Sequence, residues 1–242
     1  MLLDFSNSKI NLSTEVISKL CHRKFGIGSD GLLVYKNSNK YDFEMIYYNA
    51  DGSDAGMCGN GGRAMAHFAS NKLKKEIVRF NVNNDVYLAN VNQERVKLEM
   101  SVIKDSDKYD LTEIRKKYNF LKSFYINTGC EHACFQVEDI SNLDVNQIGK
   151  EIRNHSVFNE HGANVNFYSV KDKKVILRTF EKGVEAETLA CGTGALAVAI
   201  SEEITDSVEL SVKGGKLEIL FENNKAYLCG DVSLVFSGKM EI

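Results

Sequence analysis

Apolar residues recur along the chain with two periods, and these periods predict where helices and strands lie. Helical spacing runs through residues 12–24, where Ser13 or Thr14 provides a capping side chain, and through residues 145–155. Further helices are predicted from the apolar run that begins at Ala64 and within residues 106–118. Alternating or continuous apolar runs predict strands over residues 31–35, 42–49, 77–82, 86–91, 96–102, 124–128, 132–137, 164–170 and 174–180, and short strands from residue 208 to the end.

The order of these elements repeats once along the chain, and one short motif repeats with it. Residues 57–68 read MCGNGGRAMAHF, and residues 190–201 read ACGTGALAVAIS. Each motif follows strands and a polar loop, carries a cysteine before Gly-x-Gly, and continues as an apolar run. Internal similarity at half-chain spacing indicates a duplicated unit. The sequence therefore predicts two halves of similar plan, residues 1–104 completed by residues 232–242, and residues 105–231.

The repeated motif has the composition of a reactive site. Glycines let the backbone approach a ligand closely, and the unpaired N–H groups of a helix N-terminus bind anions such as carboxylates. A cysteine at that position can have a lowered pKa and react as a thiolate. A single such cysteine is more often a packed core residue, but two in matching places are hard to explain by packing. Facing each other across a cleft, Cys58 and Cys191 could remove a proton from one side of a carbon and return it on the other, without a cofactor.

Composition narrows the classes of function. The 242 residues carry a net charge of −3 without a basic stripe, which argues against a nucleic-acid partner. No apolar run approaches the roughly 18 residues of a membrane span, and no signal peptide precedes Asp4, so we expect a cytoplasmic protein. Six scattered cysteines favour thiols over disulfides. A metal site at Cys130, His132 and Cys134 is a weak alternative, because their spacing matches no zinc pattern, and we expect no metal.

Four motifs resemble those of the diaminopimelate epimerase family: FGIGSDGLLVY, YNADGSDAGMCGNGGRA, HGANVNF and FEKGVEAETLACGTGA. The resemblance covers nearly the whole chain from Leu12 onward. It implies an α/β (α+β) fold of two pseudo-symmetric domains, each a mixed or antiparallel sheet around a central helix, with the active site in the cleft between them. It also implies a homodimeric, cofactor-independent cytoplasmic enzyme. Such an enzyme interconverts LL- and meso-diaminopimelate, a small-molecule substrate on the route to lysine and peptidoglycan.

The same resemblance implies roles for individual residues, with Cys58 and Cys191 as the acid–base pair. The residues matched to substrate binding or to support of catalysis are Asn49, Gly59, Asn60, His132, Asn164, Glu181, Lys182, Gly192 and Thr193. The glycines, Asn60 and Thr193 would offer backbone N–H groups to the reacting carboxylate. The asparagines Asn49 and Asn164 would hold the distal end of the substrate. Glu181 and His132 match groups near the reacting amino group.

The chain departs from the family pattern around the substrate. Lys182 stands where arginine is usual, so a point charge replaces a planar two-pronged donor. Glu131 replaces a proline and adds negative charge, and Cys130 stands where asparagine is common. The chain also begins at MLLDF, just after the strand and asparagine-bearing segment that usually open the family's sequence. These departures leave two alternatives open: a racemase of another amino acid on the same fold, and a non-catalytic amino-acid binder.

Overall fold

The structure, a computed structural model, describes residues 1–6, 12–100, 106, 108–159, 162–171 and 174–239. The helices are α1 (Thr14–Cys21), α2 (Gly59–Leu73), α3 (Thr112–Lys117), α4 (Val145–Arg153) and α5 (Gly192–Ser201). The strands are β1 (Leu2–Asp4), β2 (Gly31–Lys36), β3 (Phe43–Asn49), β4 (Ile77–Val82), β5 (Asp85–Asn92), β6 (Arg95–Met100), β7 (Lys122–Asn127), β8 (Glu131–Gln136), β9 (Asn164–Lys171), β10 (Lys174–Glu181), β11 (Ala186–Thr188), β12 (Ser207–Val212), β13 (Gly215–Glu222) and β14 (Lys225–Asp231). The predicted mixed α+β class is confirmed.

Contacts between residues divide the chain into two compact units. The first unit comprises Met1–Leu98 and Gly230–Ile242, and the second comprises Glu99–Cys229. The predicted boundary at residues 104 and 105 lies outside the described residues. Within the described part of the chain, no helix has the length and apolar character that crossing a membrane requires.

In the first unit, six strands follow one another in sequence order, from β1 to β6. Strands β1 and β2 are parallel, β2 and β3 antiparallel, β3 and β4 parallel, and the last two pairs antiparallel. Helix α2 packs against β2 to β5 and buries Met65, Ala66 and Ala69. Helix α1 packs on β2, where Ile17 and Leu20 belong to an apolar cluster with Leu32 and Val34.

The second unit repeats this pairing pattern from β8 onward. Strands β8 and β9 are parallel, β9 and β10 antiparallel, β10 and β12 parallel, and β12–β13 and β13–β14 antiparallel. The short strand β11 pairs with β10, and β7 adds an antiparallel strand outside β8. Among the described strands of the first unit, none corresponds to β7. The duplication indicated by the two cysteine motifs therefore extends to the strand topology.

The strands β8, β9 and β10 have one apolar face and one polar face, because successive side chains alternate between the two sides of a sheet. The apolar face joins α3 and α4 in the core of the second unit. Its residues include Ala133, Phe135, Val165, Phe167 and Phe180. The opposite face carries polar side chains that are nevertheless buried, His132, Cys134, Asn164, Asn166 and Thr179. Helix α5 contacts β8 and β9, so the polar face lies beside the helix that Cys191 precedes.

Two sequence-based expectations need correction. Strands were expected from residue 208 to the end, but the last strand ends at Asp231 and residues 232–239 form none. The apolar Leu234, Val235 and Phe236 are largely exposed there. An apolar run forms a strand only where the edge of a neighbouring strand pairs with its backbone N–H and C=O groups. Residues 181–190 form the polar loop predicted before the second cysteine motif, yet residues 186–188 within it pair with β10 as β11. Strand β6 was expected to reach residue 102, but residues 101–102 lie outside the described residues.

Candidate active site

Cys58 is the capping residue of α2. Its backbone is extended, and its Sγ accepts a hydrogen bond from the N–H of Gly61 at 3.4 Å. The thiol is half-buried. In the first turn, Asn60 accepts a hydrogen bond at its Oδ1 from Arg63 Nη2 at 3.0 Å, so this side chain bonds within the helix. The predicted N–H donors Gly59 and Asn60 thus lie in the helical turn directly after the thiol.

The loop that leads to Cys58 closes on itself. Asn49, the last residue of β3, donates from Nδ2 to Ser53 Oγ at 3.0 Å, and its N–H donates to the Ser53 carbonyl at 2.9 Å. Asp51 accepts from the Ser53 hydroxyl at 2.6 Å. Asn49 is therefore held at the end of its strand within the same unit as Cys58.

Cys191 is the capping residue of α5 and is more deeply buried than Cys58. Burial raises the pKa of its thiol well above the ordinary value, and the nearby Glu181 carboxylate raises it further. The Thr193 hydroxyl, 3.5 Å from Sγ, and the N–H of Gly194 lower the pKa, but less. The expectation of a lowered cysteine pKa is wrong for Cys191, because loss of hydration outweighs the helix N-terminus. At neutral pH this residue is a protonated thiol.

Two side chains tie the loops around Cys191 together. Thr128 Oγ1 donates to the Thr193 carbonyl at 3.0 Å and so joins the β7–β8 turn to the first turn of α5. Asn164 donates from Nδ2 to the Glu131 carbonyl at 3.1 Å and accepts at Oδ1 from the Lys182 N–H at 2.9 Å. Asn164 thus connects the start of β8 with the turn that follows β10.

The turn with Glu181 and Lys182 is anchored at its base. Arg178 on β10 forms a two-pronged ion pair with Glu187 on β11, at 2.7 and 3.0 Å. The same guanidinium donates to the carbonyls of Ile140 and Leu143, at 3.0 and 2.9 Å, just before α4. Because Arg178 links β10, β11 and the segment before α4, the base of the hairpin that carries Glu181 and Lys182 is held in place.

The charge of Glu131 is compensated by its neighbours. Burial alone would raise the pKa of this carboxyl, but a hydrogen bond and ion pair from Lys108 at 2.9 Å hold it below the ordinary value. Tyr125 donates to the same oxygen at 3.2 Å, and Lys182 Nζ lies 3.7 Å from the other. Glu131 therefore adds less negative charge to the site than the sequence alone suggests.

His132 is completely buried, and its surroundings keep it neutral. Burial, with a smaller effect from the charge of Lys182, lowers its pKa to about 3. Its Nδ1 lies 3.0 Å from Asn166 Nδ2, and its Nε2 has no hydrogen-bond partner within the part of the chain that the structure describes. Asn166 also reaches Cys134, whose pKa is raised by burial. Cys130 precedes β8, and the described residues contain no cluster of three potential metal ligands.

Sequence reasoning missed three polar residues of this region, Thr128, Asn166 and Thr179. A signal for one of them was present: in HGANVNF, Asn166 follows Asn164 by two positions and must share its face of the strand. Apolar residues surround both, so a polar pair on one face of a buried strand predicts a hydrogen-bonded network.

The sequence is similar to a known family and to individual members of it. The family model described as diaminopimelate epimerase matches residues 2–109 and 124–235. The diaminopimelate epimerase of Flavobacterium psychrophilum is 35% identical over 237 residues, which cover 93% of this chain and 88% of the relative. That of a Nitratiruptor species is 39% identical over 230 residues, covering 92% and 87%.

Solved structures add a likeness of fold. A phenazine biosynthesis protein of the PhzF family from Enterococcus faecalis matches with a TM-score of 0.73 at 12% identity, over 100% of this chain and 92% of the other. A PhzF-family protein from Bacillus anthracis matches with a TM-score of 0.68 at 14% identity, over 94% and 87%. With the family model matching almost the whole chain and relatives well above 30% identity, this chain belongs to the diaminopimelate epimerase family.

Proposed function

We propose that this protein interconverts LL- and meso-diaminopimelate, with Cys58 and Cys191 as the groups that remove and return the α-proton. Family membership supports the isomerase activity and its substrate. The roles of the two thiols rest on one observation. Each cysteine caps a helix whose first turn contains Gly-x-Gly, and the strands that flank the two helices in sequence pair in the same pattern.

The raised pKa of Cys191 distinguishes the roles of the two thiols. A thiol with a raised pKa holds its proton at neutral pH and can donate it, so Cys191 acts as the acid when Cys58 acts as the thiolate base. Cys58 then carries the proton taken from one side of the α-carbon, and Cys191 has delivered its own to the other side. In the reverse reaction the two thiols exchange roles, and proton transfer with solvent returns Cys58 to the thiolate and Cys191 to the thiol before the next turnover in the same direction.

The helix N-termini stabilise the charge that develops when the α-proton leaves. We assign the backbone N–H groups of Gly59 and Asn60, and of Gly192 and Thr193, to the α-carboxylate of the substrate. Donors directed at this carboxylate stabilise the carbanion more than the ground state, because negative charge spreads onto its oxygens as the proton is removed. Glu181 lies close enough to Cys191 to act on its pKa, which supports a role beside the reacting amino group.

The distal end of the substrate is assigned to Lys182, Asn49 and Asn164. The ion pair of Glu131 with Lys108 supports a substrate with a second carboxylate, because it compensates the added acid. The contact of Lys182 with Glu131 favours the alternative, a racemase of an amino acid without that group, because Glu131 pairs with the cation that would bind a second carboxylate. We further infer that the enzyme acts as a homodimer in the cytoplasm, with size-exclusion chromatography and light scattering as the measurement of its mass.

The decisive experiment is exchange of the α-proton in heavy water. Reduced protein is incubated with LL-diaminopimelate, and NMR follows the loss of the α-proton signal together with the appearance of the meso isomer. We expect Cys58→Ala and Cys191→Ala each to lower the rate at which the meso isomer appears at least about 1,000-fold, since each removes an acid–base group. Cys21→Ala, at a buried cysteine of α1 outside the proposed site, is the matched control and should keep the wild-type rate.

Each other result has a distinct meaning. Near-normal turnover in either of the first two variants would refute the two-thiol mechanism. Exchange on a monocarboxylic amino acid, with none on diaminopimelate, would select the alternative racemase. Binding of diaminopimelate without any exchange would identify a non-catalytic binder.

A further inference from the structure

We propose that Asn166 is a positioning residue that holds His132 as a neutral imidazole with its proton on Nε2, ready to donate a hydrogen bond to the substrate. The part concerning the substrate rests on the proposed function, because His132 belongs to the site only under that assignment. The part concerning Asn166 and His132 stands on contacts within the second unit alone.

The orientation of the Asn166 amide follows from its partners. Its Nδ2 lies 3.4 Å from the Ala133 carbonyl, which can only accept a hydrogen bond. Its Oδ1 accepts from the Thr179 hydroxyl at 3.0 Å. With the amide fixed this way, Nδ2 also donates to His132 Nδ1 at 3.0 Å. A ring nitrogen that accepts a hydrogen bond carries no proton, so in neutral His132 the proton is on Nε2.

The surroundings of the ring oppose its protonation. His132 has no exposed surface, and the charged group that acts on it is the cation of Lys182. Its hydrogen-bonded neighbours are neutral: the Asn166 amide and, beyond it, the Thr179 hydroxyl and the Cys134 thiol. An imidazolium would also need a second acceptor at Nδ1, where Asn166 presents a donor.

The remaining N–H of the ring is the group that the substrate would use. Nε2 is buried and has no acceptor among the described residues. A buried donor without a partner is unfavourable, and an acceptor that arrives with a ligand removes that penalty. A neutral N–H cannot take a proton from an ammonium group. We therefore assign its partner as an acceptor oxygen of the substrate and not as the ammonium group.

The same amide also contacts the first turn of the helix that Cys191 caps. A Cβ at position 194 would lie 2.3 Å from Asn166 Oδ1, so the space that a side chain would need is filled by this oxygen. Gly194 lets α5 approach β9 to this distance. Asn166 therefore sets the position of His132 and touches the turn after Cys191, which makes its geometry specific to this site.

The first measurement is the protonation state of His132 in the wild-type protein, by ¹⁵N NMR of its ring nitrogens between pH 5 and 9. The signal is assigned by its loss in His132→Gln. We expect the neutral form with the proton on Nε2 across this range. A proton on Nδ1, or a titration within the range, would overturn the proposal, and neither depends on whether the protein turns over any substrate.

Two variants separate positioning from packing. Asn166→Asp keeps the shape but replaces the donor by an acceptor, so we expect the His132 proton to move to Nδ1 or the ring to become charged. Thr179→Val removes one of the partners that orient the amide but leaves the Ala133 carbonyl in contact with Nδ2, so we expect a smaller fraction of the ring to change form than in Asn166→Asp. An unchanged ring in folded Asn166→Asp would refute the role of Asn166.

Kinetic measurements then test whether the Nε2–H group of His132 donates a hydrogen bond to the substrate during the reaction. We expect Asn166→Asp to lower kcat for diaminopimelate exchange at least about 10-fold, with a new pH dependence in the range where the ring titrates. Thr179→Val should change the pH profile less than Asn166→Asp does. If wild-type protein exchanges no proton of diaminopimelate while His132 shows the expected form, the proposed function fails and the positioning by Asn166 stands.

Discussion

At the Cys191 thiol, two effects of opposite sign act on the same proton. The Thr193 hydroxyl and the Gly194 N–H stabilise a thiolate, whereas burial and the Glu181 carboxylate stabilise the thiol. Burial prevails because a thiolate without hydration is costly in a low dielectric. The helix N-terminus therefore does not make Cys191 a thiolate, and the thiol keeps its proton at neutral pH.

His132 gives a prediction about the dependence of stability on pH. Its pKa is about 3 in the folded protein and 6.5 in an unfolded chain. Between these values the unfolded chain binds one more proton, so the free energy of unfolding falls as the pH drops below 6.5 and is unaffected above it. This group contributes a slope of about 1.4 kcal/mol per pH unit within that window.

Urea unfolding of wild-type protein and His132→Gln between pH 8 and 4.5 measures this slope. Glu131 and Glu187, whose pKa values are lowered, act in the same direction but are present in both proteins and cancel in the comparison. We expect the wild-type protein to lose about 2 kcal/mol more than the variant between pH 7.5 and 5. Parallel curves would show that His132 is not buried as a neutral group.

Single residues were predictable from the sequence where their pattern repeats. Cys58 and Cys191 stand out because the same motif occurs twice, and a cap before Gly-x-Gly is a local feature. Asn166 and Thr179 were missed because a polar residue in a strand is usually exposed, and only the structure shows that α5 covers this face. The raised pKa of Cys191 was missed for the same reason, since burial is a property of the whole unit.

Among the elements, the contact between α5 and β9 gives a second prediction. Alanine is a better helix former than glycine, so Gly194→Ala would favour an isolated helix. In this protein its Cβ would lie 2.3 Å from Asn166 Oδ1, which three hydrogen bonds hold in place. We expect a net destabilisation of about 1–3 kcal/mol from overpacking, measured by urea unfolding.

A double-mutant cycle provides the control. Asn166→Ala removes the oxygen that the new Cβ would meet, so Gly194→Ala should cost little in that background. An equal cost in both backgrounds would mean that the helix, and not this contact, requires glycine at position 194.

Most elements were predictable because their periodicity is local. Helix α1 with its Ser13 cap, α4, and the strands from β2 to β10 lie within a few residues of the predicted bounds. The three-residue strands β1 and β11 are too short to show a period, and β11 forms because the Arg178–Glu187 pair closes its hairpin. Residues 232–239 contain apolar residues but form no strand, so an apolar pattern predicts a strand only where a partner strand is available.

For the molecule as a whole, the duplication was predictable but its geometry was not. Two copies of a motif indicate two similar units, yet neither copy predicts which strands run parallel. The repeated order of parallel and antiparallel pairs arises from the connections, since a helix or a long crossover between strands permits parallel pairing and a tight turn does not. That order is a stronger sign of duplication than the spacing of the cysteines.

The division into units gives the last prediction. The second unit is continuous in sequence and has its own apolar core, whereas the first unit is built from two separate segments. We expect a fragment of residues 99–231 to fold alone, with dispersed ¹H–¹⁵N NMR signals and one cooperative urea transition. Phe167→Ala, at a fully buried core position, should destabilise the fragment by about 3–5 kcal/mol. A fragment without a cooperative transition, or one indifferent to this substitution, would show that the second unit needs the remainder of the chain to order its core.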